Sequence, residues 1–171
     1  MRYFTRGWAN GDLDDPEWER ALADYQARLE EIGGRLSFAV DELARRTNLH
    51  DALIDSVRWE MATGRLTLKL VHHHLDTDEH RLLTLVYEGA MLGAARVESL
   101  RRAALSRDTE LLYDEVDFDE KDGLFVHRIL FWPNEELTIE FRSLTLSSQP
   151  IPNRRVELSN AFYEWEPDGD E

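Results

Sequence analysis

The hydrophobic period of this chain changes near residue 50, and that change dictates two kinds of structure in one fold. Trp18, Leu22, Tyr25, Leu29 and Ile32 recur at alternating spacings of four and three, which lays one apolar stripe along a helix. Asp15 is placed to cap it, Pro16 suits its first position, and Glu17 and Glu19 complement the positive end of its dipole, so a helix is predicted over 15–32. Gly33-Gly34 ends it, and a second helix over 36–46 turns Leu36, Ala39, Val40 and Leu43 inward. Beyond that point Val57, Trp59 and Met61 alternate with Arg58 and Glu60. After a Thr63-Gly64 turn, Leu66, Leu68 and Leu70 alternate with Thr67 and Lys69, the period-two pattern of a β-hairpin. Further strands are predicted over 81–88, 110–118, 124–132 and 136–146, with a modest helix over 96–105 between the third and fourth.

Short connections favour antiparallel neighbours, because a parallel return needs about a dozen residues or more. The expected fold is therefore α+β, in one domain spanning 1–171. It comprises an N-terminal helical hairpin (1–48), a mostly antiparallel sheet of about six strands with one inserted helix (49–147), and an irregular acidic tail (148–171). The helices are expected on one face of the sheet, which leaves the other face wet as the natural binding surface.

Charge narrows the partners. Net charge is −15, from 35 acidic and 20 basic residues. That disfavours direct contact with nucleic acid or anionic membranes and suits a basic protein. The acids are concentrated: residues 12–31 hold eight against two arginines, 108–122 hold eight against one lysine, and 157–171 hold six with no base. The absence of cysteine removes disulfides, thiolate metal sites and a Cys nucleophile, and it fits a reducing, cytoplasmic setting. The first residues lack the apolar run of a signal peptide, and no stretch approaches the roughly 20 apolar residues of a membrane span.

The densest group of metal-ligating side chains is His72, His73 and His74 with Asp76, Asp78 and His80. On a continuing strand His72 and His74 share a face, and Asp76 or His80 would complete a site for a divalent transition metal, as in a metal-binding protein or metal-dependent hydrolase. The competing reading is a strand end followed by a solvated polar turn. Asp114, Glu115, Asp117 and Asp119 offer a second group, in which alternation puts Glu115 and Asp117 on one face and Asp114 on the other. These carboxylates read either as paired acids or as an exposed stripe that a basic partner covers, with Tyr113 and Trp132 as aromatic anchors.

Other motifs are weaker. His50-Asp51 is similar to the pair found in metal phosphohydrolases, but strand follows it, so a local role at the hand-over to the sheet is expected. A calcium loop starting at Asp117 would need an oxygen ligand and a glycine at its fifth and sixth positions, where Lys121 and Asp122 stand. There is no Gly-x-Ser-x-Gly, no phosphate-binding loop and no dinucleotide fingerprint, so no catalytic residue is assigned.

The opening Arg2-Tyr3-Phe4-Thr5-Arg6-Gly7-Trp8 resembles an uncharacterised bacterial family whose members begin Met-Lys/Arg-Tyr-Phe-Thr-Lys-x-Trp. The blocks Leu111–Val116 and Val126–Phe131 look like the same family. This resemblance implies an acidic helical hairpin leading into a strand domain, and it carries no assigned activity. Leu49-His50-Asp51-Ala52-Leu53-Ile54 resembles a short motif of immunity proteins from bacterial toxin systems. With the charge, these features make the expectation a non-enzymatic acidic module that binds a basic protein, of the immunity type that inhibits a toxin or nuclease, with no cofactor. Metal binding by the His72–His80 cluster is the alternative.

Overall fold

The computed structural model describes residues 1–74, 79–106, 109–152 and 163–165. Four α-helices are present among the described residues: α1 (Arg6–Asn10), α2 (Asp15–Ile32), α3 (Phe38–Arg46) and α4 (Ala94–Leu105). The strands are β1 (Leu53–Glu60), β2 (Arg65–His74), β3 (Glu79–Glu88), β4 (Glu110–Asp119), β5 (Leu124–Trp132), β6 (Glu136–Phe141), β7 (Ser143–Ile151) and β8 (Tyr163–Trp165). The α+β class holds, with an N-terminal helical region and one inserted helix. None of the described helices is long and apolar enough to cross a membrane.

Local chemistry explains the boundaries. The cap of α2 is Asp14, one residue earlier than expected. Its carboxylate accepts the Glu17 N–H at 2.9 Å while the Glu17 carboxylate accepts the Asp14 N–H, a capping box. Ser37 caps α3 through its hydroxyl, which accepts the Val40 N–H without a reciprocal bond. Helix α1 gave no periodic signal because its five residues bury Trp8 alone; Thr5 starts it, and Gly11 at φ 74° ends it.

Two corrections concern the strands. The expected single strand over 136–146 is broken at Arg142 into β6 and β7, and β7 continues to Ile151, inside the segment expected to be irregular. Tyr163–Trp165 add to β1 in parallel, opposite Val57–Trp59. The described sheet therefore has eight strands rather than six. Ser143–Ile151 is rich in Ser, Thr and Gln with Pro150 near its end, so it lacks the apolar alternation that would have announced it.

The strand order is β6-β5-β4-β1-β2-β3-β7, and every pairing along this path is antiparallel. Because Arg142 alone separates β6 from β7, the two outer members of the path are consecutive in the chain, and the sheet curls back on itself at that corner. Opposite that corner the contact is thin, since β1 and β4 share only the Leu53–Glu110 pair. The inner face is filled by Leu66, Leu68 and Leu70 of β2, Leu83, Leu85 and Tyr87 of β3, and Ile129, Phe131, Ile139 and Phe141 of β5 and β6. Helix α3 contacts β4 and β7, and α4 contacts β1 and β6; both contribute to the same core through Val40, Leu43, Leu100 and Ala103.

The corner depends on Gly89. It has φ 61°, and a Cβ there would lie 2.8 Å from Arg142 Cδ, while the Arg142 N–H bonds to Glu88 O at 2.9 Å. Gly89→Ala is expected to lower stability by on the order of 1 kcal/mol or more, read from urea unfolding. An unchanged midpoint would show that this corner is not strained.

Candidate functional site

The helices do not share one face. While α3 and α4 close the inner side, α2 and the N-terminal residues cover the outer face and free edge of β4. Beyond Glu110, β4 has no strand partner on the β1 side among the described residues, and a bare edge invites association. Tyr25 and Arg28, one turn apart on α2, supply the missing partners: Tyr25 Oη accepts the Val116 N–H at 2.8 Å, and Arg28 Nη2 donates to Phe118 O at 2.9 Å. A second apolar cluster of Phe4, Trp8, Tyr25, Leu29 and Ile32 fills the space between, with Tyr113 and Phe118 packed against it.

This covering changes the reading of the acidic strand. Glu115 and Asp117 share a face, as alternation requires, but that face is buried, and the expectation that they line an accessible binding stripe is corrected here. Glu115 is fully buried; its carboxylate accepts the backbone N–H groups of Arg2, Tyr3 and Phe4 at 2.6, 2.8 and 3.3 Å and pairs with Arg128 at 3.3 Å. Asp117 accepts from Arg28 Nε at 2.8 Å and from the Phe118 N–H at 2.8 Å, and Arg128 approaches to 3.4 Å. The carboxylates hold the opening residues onto the sheet as a strap. Arg6 fixes the far end by donating to Phe131 O and Pro133 O at 3.1 and 2.7 Å.

Burial by itself raises the Asp117 carboxyl. The Arg28 and Phe118 hydrogen bonds and the Arg28 and Arg128 charges outweigh burial and hold it below the ordinary carboxylate range. A depressed folded-state value stabilises the fold at pH values above the unfolded reference of about 3.9, and that contribution disappears as pH falls through the folded-state value. Asp117→Asn is therefore expected to flatten the loss of stability on acidification, followed by urea midpoints from pH 6 downward. An identical acid slope in the variant would remove Asp117 from the cause.

Asp114 faces the other way and belongs to a feature the sequence reading missed. His127 is fully buried, with Nε2 3.0 Å from Asp114 Oδ2 and Nδ1 2.8 Å from Tyr87 Oη. With Asp114 ionised, the bonding is met by an imidazole protonated on Nε2, with the Tyr87 hydroxyl donating to Nδ1. Burial, then the Asp114 charge, holds the Tyr87 phenol far above its ordinary value, so it remains a donor. The three residues come from β3, β4 and β5 and join the two halves of the curled sheet. They line none of the described cavities, so the geometry is that of a structural tie. The available signal was His127 itself, at inward parity with Phe125, Ile129 and Phe131 in an apolar run.

The remaining candidates separate. Tyr113 lies under the strap, 4.6 Å from Trp8 and 5.1 Å from His50 between ring centres. Trp132 is 52% exposed, at the end of β5 away from the acidic turn. Asp119 is exposed and closes that turn by accepting the Lys121 and Asp122 N–H groups. In the histidine cluster, strand register pairs His72 with Arg81 and His73 with His80, which puts His80 on the face opposite His72. His72 is buried beside a cavity of about 390 Å³ that Arg46, Arg81 and Ser148 also line. Asp76 and Asp78 lie outside the described residues. Among the described residues no three His, Asp or Glu side chains converge to hold a metal ion. Asp51, at φ 61°, bonds through its N–H to Leu111 O at 2.8 Å, so His50-Asp51 marks the hand-over to the sheet.

What does collect on the outside is the acidic surface. Helix α2 runs along β4, from Trp18 stacked on Trp8 to Arg28 beside Asp117 and then Arg35, which reaches Glu120 at 3.0 Å beyond the helix end. Asp15, Glu19, Asp24 and Glu30 on α2 are exposed, as are Asp119, Glu120 and Asp122 in the β4–β5 turn. Comparison with protein-family models, curated proteins and solved structures returns no match to this chain.

Proposed function

We propose that the chain is a non-enzymatic, cytoplasmic protein-binding module that docks a basic protein on the face made by α2 and the β4–β5 turn. The observation that carries this reading is the merging of two acidic segments, 12–31 and 119–122, into one exposed surface through the Arg28–Phe118 and Arg35–Glu120 contacts. Trp18 supports it: 40% exposed, it stacks on buried Trp8 at 5.0 Å and 10°, which offers a rigid aromatic anchor inside the acidic field. Trp18 thus takes the anchoring role first expected of Tyr113 and Trp132.

Carboxylates in this density steer a cationic partner and cover its active site, the mode of an immunity-type inhibitor of a basic toxin or nuclease. The test is association kinetics with the basic protein, comparing the native chain with Glu19→Lys/Asp24→Lys/Asp122→Lys. The association rate is expected to fall by about tenfold or more in the variant and to lose most of its salt dependence. Equal rates at low salt would refute the assignment of this face.

A further inference from the structure

The side of the molecule covered by α2 and the strap repeats one surface construction. Arg35 lies over the Phe118 ring at 5.2 Å while pairing with Glu120 at 3.0 Å. Arg2 lies over the Tyr3 ring at 5.2 Å while its Nη1 stands 3.7 Å from Asp117. In both, a guanidinium spreads on an aromatic face and turns N–H groups to a neighbouring carboxylate, so ring and acid act on one cation. Both rings pack against the apolar cluster of Phe4, Trp8, Tyr25, Leu29 and Ile32 beneath α2.

Trp18 is a third ring on that cluster, and its arginine is missing. It stacks on Trp8, whose own ring is wedged 4.9 Å from Phe4 and 4.6 Å from Tyr113. Trp8 also donates its Nε1–H to Trp18 O at 3.4 Å. One face of the Trp18 indole is therefore taken, and its 40% exposure belongs to the opposite face and the edges. Among the described residues no guanidinium lies over it. Arg20 is two positions along α2 and turns to another side of the helix.

The acid half of the construction is present. Helical side chains lean towards the N-terminus, so the Trp18 ring overlies the turn that holds exposed Asp15, three residues earlier. Asp14 in that turn is engaged as the cap. The ion pairs of α2 among the described residues belong to Arg28, which leaves the Asp15 carboxylate open.

We infer that Trp18 and Asp15 form a seat for one arginine of the partner, an inference that rests on the α2 face being the docking surface. The surrounding acids attract any basic partner, whereas the seat sorts arginine from lysine. A planar guanidinium spreads on the indole and still spans a carboxylate, while a compact, strongly hydrated ammonium does one or the other.

The experiment titrates the full chain at low salt with a capped peptide of alternating glycine and arginine, and with its lysine counterpart of equal length and charge. The Trp18 indole N–H and the α2 amides report binding. The arginine peptide is expected to saturate these shifts at a concentration about threefold or more below the lysine peptide. Trp18→Leu should bring the two peptides to equal affinity. Asp15→Asn, which spares the Asp14 cap, should weaken the arginine peptide roughly twofold or more, and Glu30→Gln, an equal charge change at the other end of α2, should weaken it less. Equal affinities in the native chain, an arginine preference that survives Trp18→Leu, or equal losses in Asp15→Asn and Glu30→Gln would each overturn the seat and leave the docking face standing. Failure of both peptides to shift any α2 amide would remove the face and the seat together.

Discussion

Replacing Glu115 by alanine is expected to destabilise the protein by about 3–5 kcal/mol, the largest single-residue effect in the molecule. The carboxylate is fully buried and answers three backbone N–H groups and one guanidinium. Its removal leaves Arg128 with only the longer Asp117 contact and strands three donors beneath Phe4 and Tyr25. The effect has a local signature. Amide exchange at Arg2, Tyr3 and Phe4 should accelerate to nearly unprotected rates, while β2 and β3 keep the protection set by global stability. Denaturant unfolding gives the magnitude and hydrogen exchange the location. A cost below about 1 kcal/mol with the strap amides still protected would mean that the apolar cluster holds the strap without Glu115.

The second large effect belongs to the tie between the sheet halves. His127→Leu is expected to cost about 2–4 kcal/mol, because it leaves the Asp114 carboxylate and the Tyr87 hydroxyl without the partner that satisfied them. Adding Tyr87→Phe to that variant should recover part of the loss, since one of the stranded groups is then gone. Tyr87→Phe alone should cost roughly 1 kcal/mol by orphaning Nδ1. The informative quantity is the coupling in this cycle, which should be opposite in sign to the two single losses. Additive losses would show that the ring, rather than its hydrogen bonds, stabilises the site.

These two residues also mark how far the sequence could be read. The span of helix α2 was legible because its apolar spacing, Pro16 and the terminating glycines agree, although its capping acid is Asp14 and not Asp15, and β1–β5 were legible from alternation. Strand β7 was not, because Ser147, Ser148 and Gln149 pair with β3 without contributing apolar side chains. For Glu115 and Asp117, alternation placed both on one face but could not say that α2 and the strap lie over it. That covering is decided by contacts such as Arg28–Asp117, made between residues 89 positions apart. His127 is a similar case: its parity was available, but its partners come from two other strands. The acidic surface was legible as two separate segments, and the packing of α2 along β4 makes them one.

The account stands on that surface being where a partner lands. Hydrogen-exchange protection of the chain alone and in complex with a basic protein of the proposed kind tests this most directly. Added protection over 12–31 and 119–122, centred on Trp18, is the predicted outcome. Protection confined to β2, β3 or β7, with α2 unchanged, would contradict it.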